Sequence, residues 1–118
     1  MNKYIKKLPQ KATFTQIGLS GYLFPVQNKN FEIYFIKVKR GHDTFIISKK
    51  CSHIYFVLTG KGYFIIDNKK INVKAGMLVD VPSKVEYTYA GTMDLLLIIT
   101  PPWFKENEII TRKNSWAE

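Results

Sequence analysis

The side chains able to carry chemistry in this chain are few: two histidines, His42 and His53, one cysteine, Cys51, and seven tyrosines. Cys51 stands two residues before His53, but a thiolate and imidazole at that spacing lack a third group to orient the base, so no nucleophile is read there. His42-Asp43 has the local pattern of a turn more than of a catalytic pair. A metal held by a facial triad would need both histidines and a carboxylate such as Asp43 or Glu86. The better-ordered candidates are polar groups two residues apart. His53 and Tyr55 share one face of an extended segment, and Tyr87 and Tyr89 share one face of another.

Those residues need strands to position them, and the pattern supplies strands. Short runs of Val, Ile, Phe and Tyr recur between turn signals every eight to twelve residues, while helical periodicity is absent outside the tail. Strands are expected near Gly21–Phe24, Phe31–Lys39, Thr44–Ser48, His53–Leu58, Gly62–Asp67, Lys70–Val73, Met77–Val81, Glu86–Ala90 and Asp94–Thr100. Thr59-Gly60-Lys61-Gly62 and Asp67-Asn68-Lys69 tolerate positive φ, and each is expected to close a hairpin. Leu95–Ile99 is apolar on both faces and needs cover on both sides. Pro101-Pro102 stops the last strand, leaving Trp103–Glu118 as a wrapping tail with a helical turn.

Composition bounds the partners. The 118 residues, 46% hydrophobic and 14% aromatic, fit one folded domain over residues 1–118. A lone cysteine excludes a disulfide or zinc-ribbon scaffold and points to the reducing cytoplasm. No export signal follows the basic start, and the longest apolar run, Leu95–Ile99, is far too short to span a bilayer. Eighteen basic against nine acidic residues give a net charge of +9, which favours anionic partners. Sixteen of the basic residues are scattered lysines rather than arginine clamps, so a solvated lysine surface is the plainer reading and nucleic acid the weaker one. Lys61-Gly62-Tyr63 opens like an RNA-recognition motif, but Phe64 stands where Gly or Ala is needed and no helices accompany it.

The spacing of the punctuation resembles the cupins, small double-stranded β-barrels of the jelly-roll kind. Their first motif, G-x5-H-x-H-x3or4-E-x6-G, is matched by Gly41 and Gly60, with Ile47 and Lys49 in the histidine places and His53 for the glutamate. An x4 spacing puts Ile46 and Ser48 there instead. Their second motif, G-x5-P-x-G-x2-H-x3-N, is matched by Gly76 and Pro82, with Lys84 for the glycine, Tyr87 for the histidine and Gly91 for the asparagine. Tyr55-Phe56-Val57-Leu58-Thr59-Gly60 is similar to the family's strand end. The resemblance covers about residues 31–101, between a basic N-terminal arm over 1–12 and a C-terminal tail over 102–118. It implies an all-β, cupin-like double-stranded β-barrel of jelly-roll type.

The family's metal ligands are replaced, so no metal cofactor is expected. What the resemblance leaves is an inward-facing, donor-rich pocket of Lys49 (or Ser48), His53, Tyr55, Tyr87 and Tyr89. Such a pocket suits a small polar, anionic or carbonyl-bearing molecule, such as a sugar derivative, for metal-free binding or isomerisation through histidine and tyrosine. A metal-dependent cupin enzyme, either a dioxygenase or a sugar-phosphate isomerase, is the alternative. A barrel binding single-stranded nucleic acid through lysines and tyrosines is the third. Two-sided apolar strands also imply a homodimer.

Overall fold

The structure, a computed structural model, describes residues 2–118. Its elements are β1 (Phe14–Gln16), β2 (Leu19–Leu23), β3 (Glu32–Val38), β4 (Thr44–Ser48), β5 (Ser52–Ile66), β6 (Lys69–Lys74), β7 (Leu78–Val81), β8 (Tyr87–Thr100) and β9 (Glu108–Lys113). Two 3₁₀ turns, Lys105–Asn107 and Ser115–Ala117, flank β9. No described helix is long and apolar enough to cross a membrane.

The spine is an antiparallel ribbon in which β5 pairs with β8 from Ser52↔Thr100 to Ile66↔Tyr87. Over its first half, β5 also takes β7, and β8 takes β3, which continues into β2 and β1. Over its second half, β5 takes β6, and β8 takes β4, with β9 on the far edge of β4. Two sheets therefore share one ribbon and curl around a common interior, the jelly-roll barrel expected from the sequence.

Where the ribbon passes from one sheet to the other it must turn a corner, and bulges make such corners. The register slips between Val57 and Thr59, and Gly60 takes φ 82° beside it. Thr59-Gly60-Lys61-Gly62 is thus a bulged corner inside one long strand, not the expected hairpin. The same residue types serve either structure, and only the distant partner β8 selects the bulge. Asp67 and Asn68, at φ 50° and 64°, do close the expected hairpin between β5 and β6.

Two other expectations change. The strands read separately at Glu86–Ala90 and Asp94–Thr100 are one strand, β8. The tail contributes β9, which pairs with β4 from Thr44↔Lys113 to Ser48↔Glu108. Asn107 fixes its entry: the side-chain Oδ1 accepts from the backbone N–H of Lys50 (2.8 Å) and Cys51 (3.1 Å).

Alternation decides which side chains meet inside. Tyr34, Ile36 and Val38 on β3, Ile46 and Ser48 on β4, His53, Tyr55 and Val57 on β5, and Tyr87, Tyr89, Leu95, Leu97 and Ile99 on β8 are buried. Val79 and Val81 are buried while Leu78 between their phases is 61% exposed. Lys84, at the place where the sequence resemblance expects glycine, takes φ 71°, a left-handed conformation that glycine adopts more readily.

Candidate functional site

Between the two sheets lies a cavity of about 470 Å³. Five segments supply most of its wall. β1 and the residue before it bring Thr13, Phe14, Thr15 and Gln16; β3 brings Tyr34 and Ile36; β5 brings His53 and Tyr55; β8 brings Tyr87, Tyr89, Leu97 and Ile99; and the C-terminal segment brings Trp103 and Glu108. Leu19, His42 and Ile46 complete the lining.

At its centre is a tyrosine cluster. The Tyr55 and Tyr87 hydroxyls are hydrogen-bonded at 2.6 Å, and the Tyr89 ring lies 5.3 Å from that of Tyr55, with Phe64 packed behind both. Burial, above all, pushes all three phenols above their ordinary value of 10. They are therefore hydrogen-bond donors at neutral pH, not bases.

The two histidines differ. His53 is 3% exposed, with Nδ1 3.4 Å from Ser48 Oγ and its ring 5.8 Å from that of Tyr87. Burial lowers its pKa to about 4, against the partial support of a hydrogen bond to the Cys51 backbone, so the imidazole is neutral. His42 is half-buried, 5.7 Å from the Tyr89 ring. Its Nδ1 lies 2.8 Å from the Thr44 carbonyl oxygen, to which it donates in the tautomer protonated there, and 3.4 Å from the Thr44 backbone N–H, from which it accepts in the other; the shorter contact favours the first, which leaves the Nε2 lone pair free. The tail holds this segment in place: the His42 carbonyl accepts from Asn114 Nδ2 (3.1 Å) and Trp116 Nε1 (3.0 Å).

Of the residues read from sequence, His53, Tyr55, Tyr87 and Tyr89 come together on the cavity wall. Lys49 does not. Ile46 and Ser48 point inward on β4, so parity turns Lys49 outward, where it is exposed. Ser48 takes the inner place against His53. Cys51 is buried and unpaired, its thiol pushed up by burial, with Sγ 3.8 Å from the Pro102 carbonyl oxygen.

Sequence reasoning missed His42, Gln16, Trp103 and Glu108 as cavity residues. Rarity was the one signal for His42, a member of a pair of histidines in the whole chain. The other three are brought in by chain termini whose pairing no local pattern reveals.

The residues present do not fit a metal. The inward positions of the family motifs hold Ile46, Ser48, His53 and Tyr87, and among the described residues no three His, Cys, Asp or Glu side chains converge. Glu86 is engaged outside the cavity by Thr111 Oγ1 (2.6 Å) and Arg112 (3.1 Å).

No protein-family model and no curated protein matches the chain. Solved structures do. Streptomyces PAC13 with uridine superposes in three variants. The Y55F form gives a TM-score of 0.88 at 23% identity over 100% of this chain and 98% of that one. The Y89F form gives 0.86 at 22% over 96% and 93%, and the H42Q form 0.85 at 21% over 95% and 93%. Pac13 is described as a nucleoside dehydratase. KdgF from Halomonas matches at TM-score 0.68 and 11% identity over 78% of this chain and 86% of that one. The cupin domain of Schizosaccharomyces pombe Cnp3 matches at 0.62 and 15% over 70% and 64%. At these identities the likeness is one of fold, and the fold of this chain is that of a small cupin.

Proposed function

We propose that this protein binds a small sugar-bearing molecule of the nucleoside class in its cavity and removes water from it by proton transfer, without a metal. One observation carries the reading: His42, its Nδ1 2.8 Å from the Thr44 carbonyl oxygen, lines the cavity beside a cluster of protonated tyrosines. The likeness to PAC13 supports it. The substitutions in its three variants fall at numbers 42, 55 and 89, and this chain carries His42, Tyr55 and Tyr89 at the same numbers in a nearly end-to-end match.

The chemistry follows from those roles. His42 Nε2 takes a proton from a carbon next to a carbonyl, while tyrosine hydroxyls donate to the carbonyl oxygen as its negative charge grows. The imidazolium then gives that proton to a hydroxyl on the neighbouring carbon. The C–O bond breaks, a C=C bond forms, water leaves and His42 is neutral again. Returning the proton to another carbon instead would make the same site an isomerase.

The test is water loss from a nucleoside carrying a carbonyl on its ribose, followed by mass spectrometry. H42Q is expected to lower the rate by about 10²–10⁴ with an unchanged circular dichroism spectrum. Equal rates in H42Q and wild type, or no binding of uridine at all, would sink the reading.

We also propose that the protein works in the cytoplasm as a homodimer. The support is an outward sheet face that is apolar across β2, β3, β8, β5 and β7, where Tyr22, Phe35, Leu96, Phe56 and Leu78 stand in register.

A further inference from the structure

The cavity differs in charge from the molecule that contains it. The chain has 18 basic and 9 acidic residues, yet no lysine or arginine lines the cavity, and the acidic side chain on its wall is Glu108. That carboxylate is fixed. Its Oε2 accepts from Trp103 Nε1 at 3.2 Å, and the backbone N–H of Trp103 donates to Glu32 Oε1 at 2.9 Å. Glu32 in turn accepts from the Tyr34 hydroxyl at 3.4 Å. Two carboxylates thus bracket Trp103, Glu108 on the cavity wall and Glu32 outside its lining, and neither takes part in the ion pairs of the described residues, Lys37–Asp94 and Arg112–Glu86. The charge of Glu108 also reaches the interior, where after burial it helps to keep Tyr55, Tyr87 and Tyr89 protonated.

We propose that the cavity accepts nucleosides and rejects their phosphorylated forms, and that Glu108 is the residue that enforces the distinction. The inference rests on the nucleoside reading and sharpens its substrate class. A phosphate entering here would leave water, find no cation, and meet a like charge, each of which is unfavourable. A neutral nucleoside suits the same wall, since its hydroxyl and N–H groups donate to Glu108 and its carbonyl oxygens accept from the phenols. The lysines on the outer surface do not compensate, because exposed charges are screened beyond about 8–10 Å, while the partly buried carboxylate is screened much less.

The experiment is calorimetric titration of the whole protein with uridine and with uridine 5′-monophosphate, on wild type and E108Q. Glutamine keeps an oxygen to accept from Trp103 and removes the charge. Wild type is expected to bind uridine at least tenfold more tightly than the monophosphate, and E108Q to narrow that ratio at least threefold. The wild-type ratio needs no variant, so it decides the matter even if E108Q folds poorly. Monophosphate binding as tight as uridine, or tighter, overturns the inference and leaves the nucleoside reading standing. An unchanged ratio in a folded E108Q overturns the role of Glu108. Failure of wild type to bind either compound overturns the nucleoside reading itself, and this inference with it.

Discussion

His53 illustrates how burial, rather than residue type, sets what a side chain does in this cavity. With its pKa lowered to about 4 it is neutral in the fold, whereas in the unfolded chain it would titrate near 6.5. Between those values the unfolded state binds a proton that the folded state refuses. The stabilising contribution is therefore full above pH 6.5 and is lost as pH falls toward 4, at up to about 1.4 kcal/mol per pH unit. Urea unfolding at steps between pH 7 and 4.5 should show this decline in wild type, and H53Q should flatten it. Equal pH slopes in the two proteins would show that His53 is not held neutral. His42 differs in being only half-buried, its Nδ1 held 2.8 Å from the Thr44 carbonyl oxygen on the cavity wall.

At the scale of elements, the corner of the β5–β8 ribbon is tightly constrained. Gly60 combines a left-handed φ of 82° with a site where an added Cβ would lie 2.2 Å from the Thr92 carbonyl oxygen and 2.8 Å from Met93 Cα. Gly76 also has a left-handed φ, 95°, but open space around it. G76A should therefore cost about 1–2 kcal/mol from the backbone alone. G60A meets the same backbone penalty plus a clash with the opposite strand, and should cost at least about 2 kcal/mol more. Chemical denaturation of both variants checks the difference, and equal costs would mean that the corner relaxes freely.

For the whole molecule, the question is how a +9 chain associates with itself. The outer sheet face is the place where it can. Its charged residues in register are Lys37, already paired with Asp94, and Asp80. Five strands about 4.8 Å apart, carrying three side-chain rows about 6.8 Å apart, offer roughly 500 Å² per copy. A two-fold contact would then bury about 1,000 Å², the lower bound for a specific interface. Light scattering at micromolar concentration should return twice 13.7 kDa, and L78K, which places a charge on an exposed outward residue, should return the monomer. A monomeric wild type at every concentration contradicts the dimer.

The sequence by itself determined the fold class and much of the wall. Period-two alternation needs no partner to be read, so the inward faces of β5 and β8 were legible, and with them the convergence of His53, Tyr55, Tyr87 and Tyr89. Glycine and proline spacing was enough to reach the cupin frame, because the backbone conformations it encodes are local; even Lys84, at a glycine place of the motif, takes the left-handed φ that glycine favours. Tertiary structure alone decided what depends on distant pairing. Thr59–Gly62 reads as a hairpin until β8 is laid beside it. Lys49 exchanged places with Ser48 because a one-residue shift in motif register turns a side chain to the opposite face. Glu108, Trp103 and Gln16 reach the cavity because the chain ends pair with β4 and β2, contacts between residues far apart in sequence that leave no periodic trace. His42 became a candidate base only when folding set Nδ1 against a carbonyl and the ring against Tyr89. The charge of the cavity, opposite to that of the chain, is likewise a matter of which side chains the fold turns inward, and composition averages over that choice.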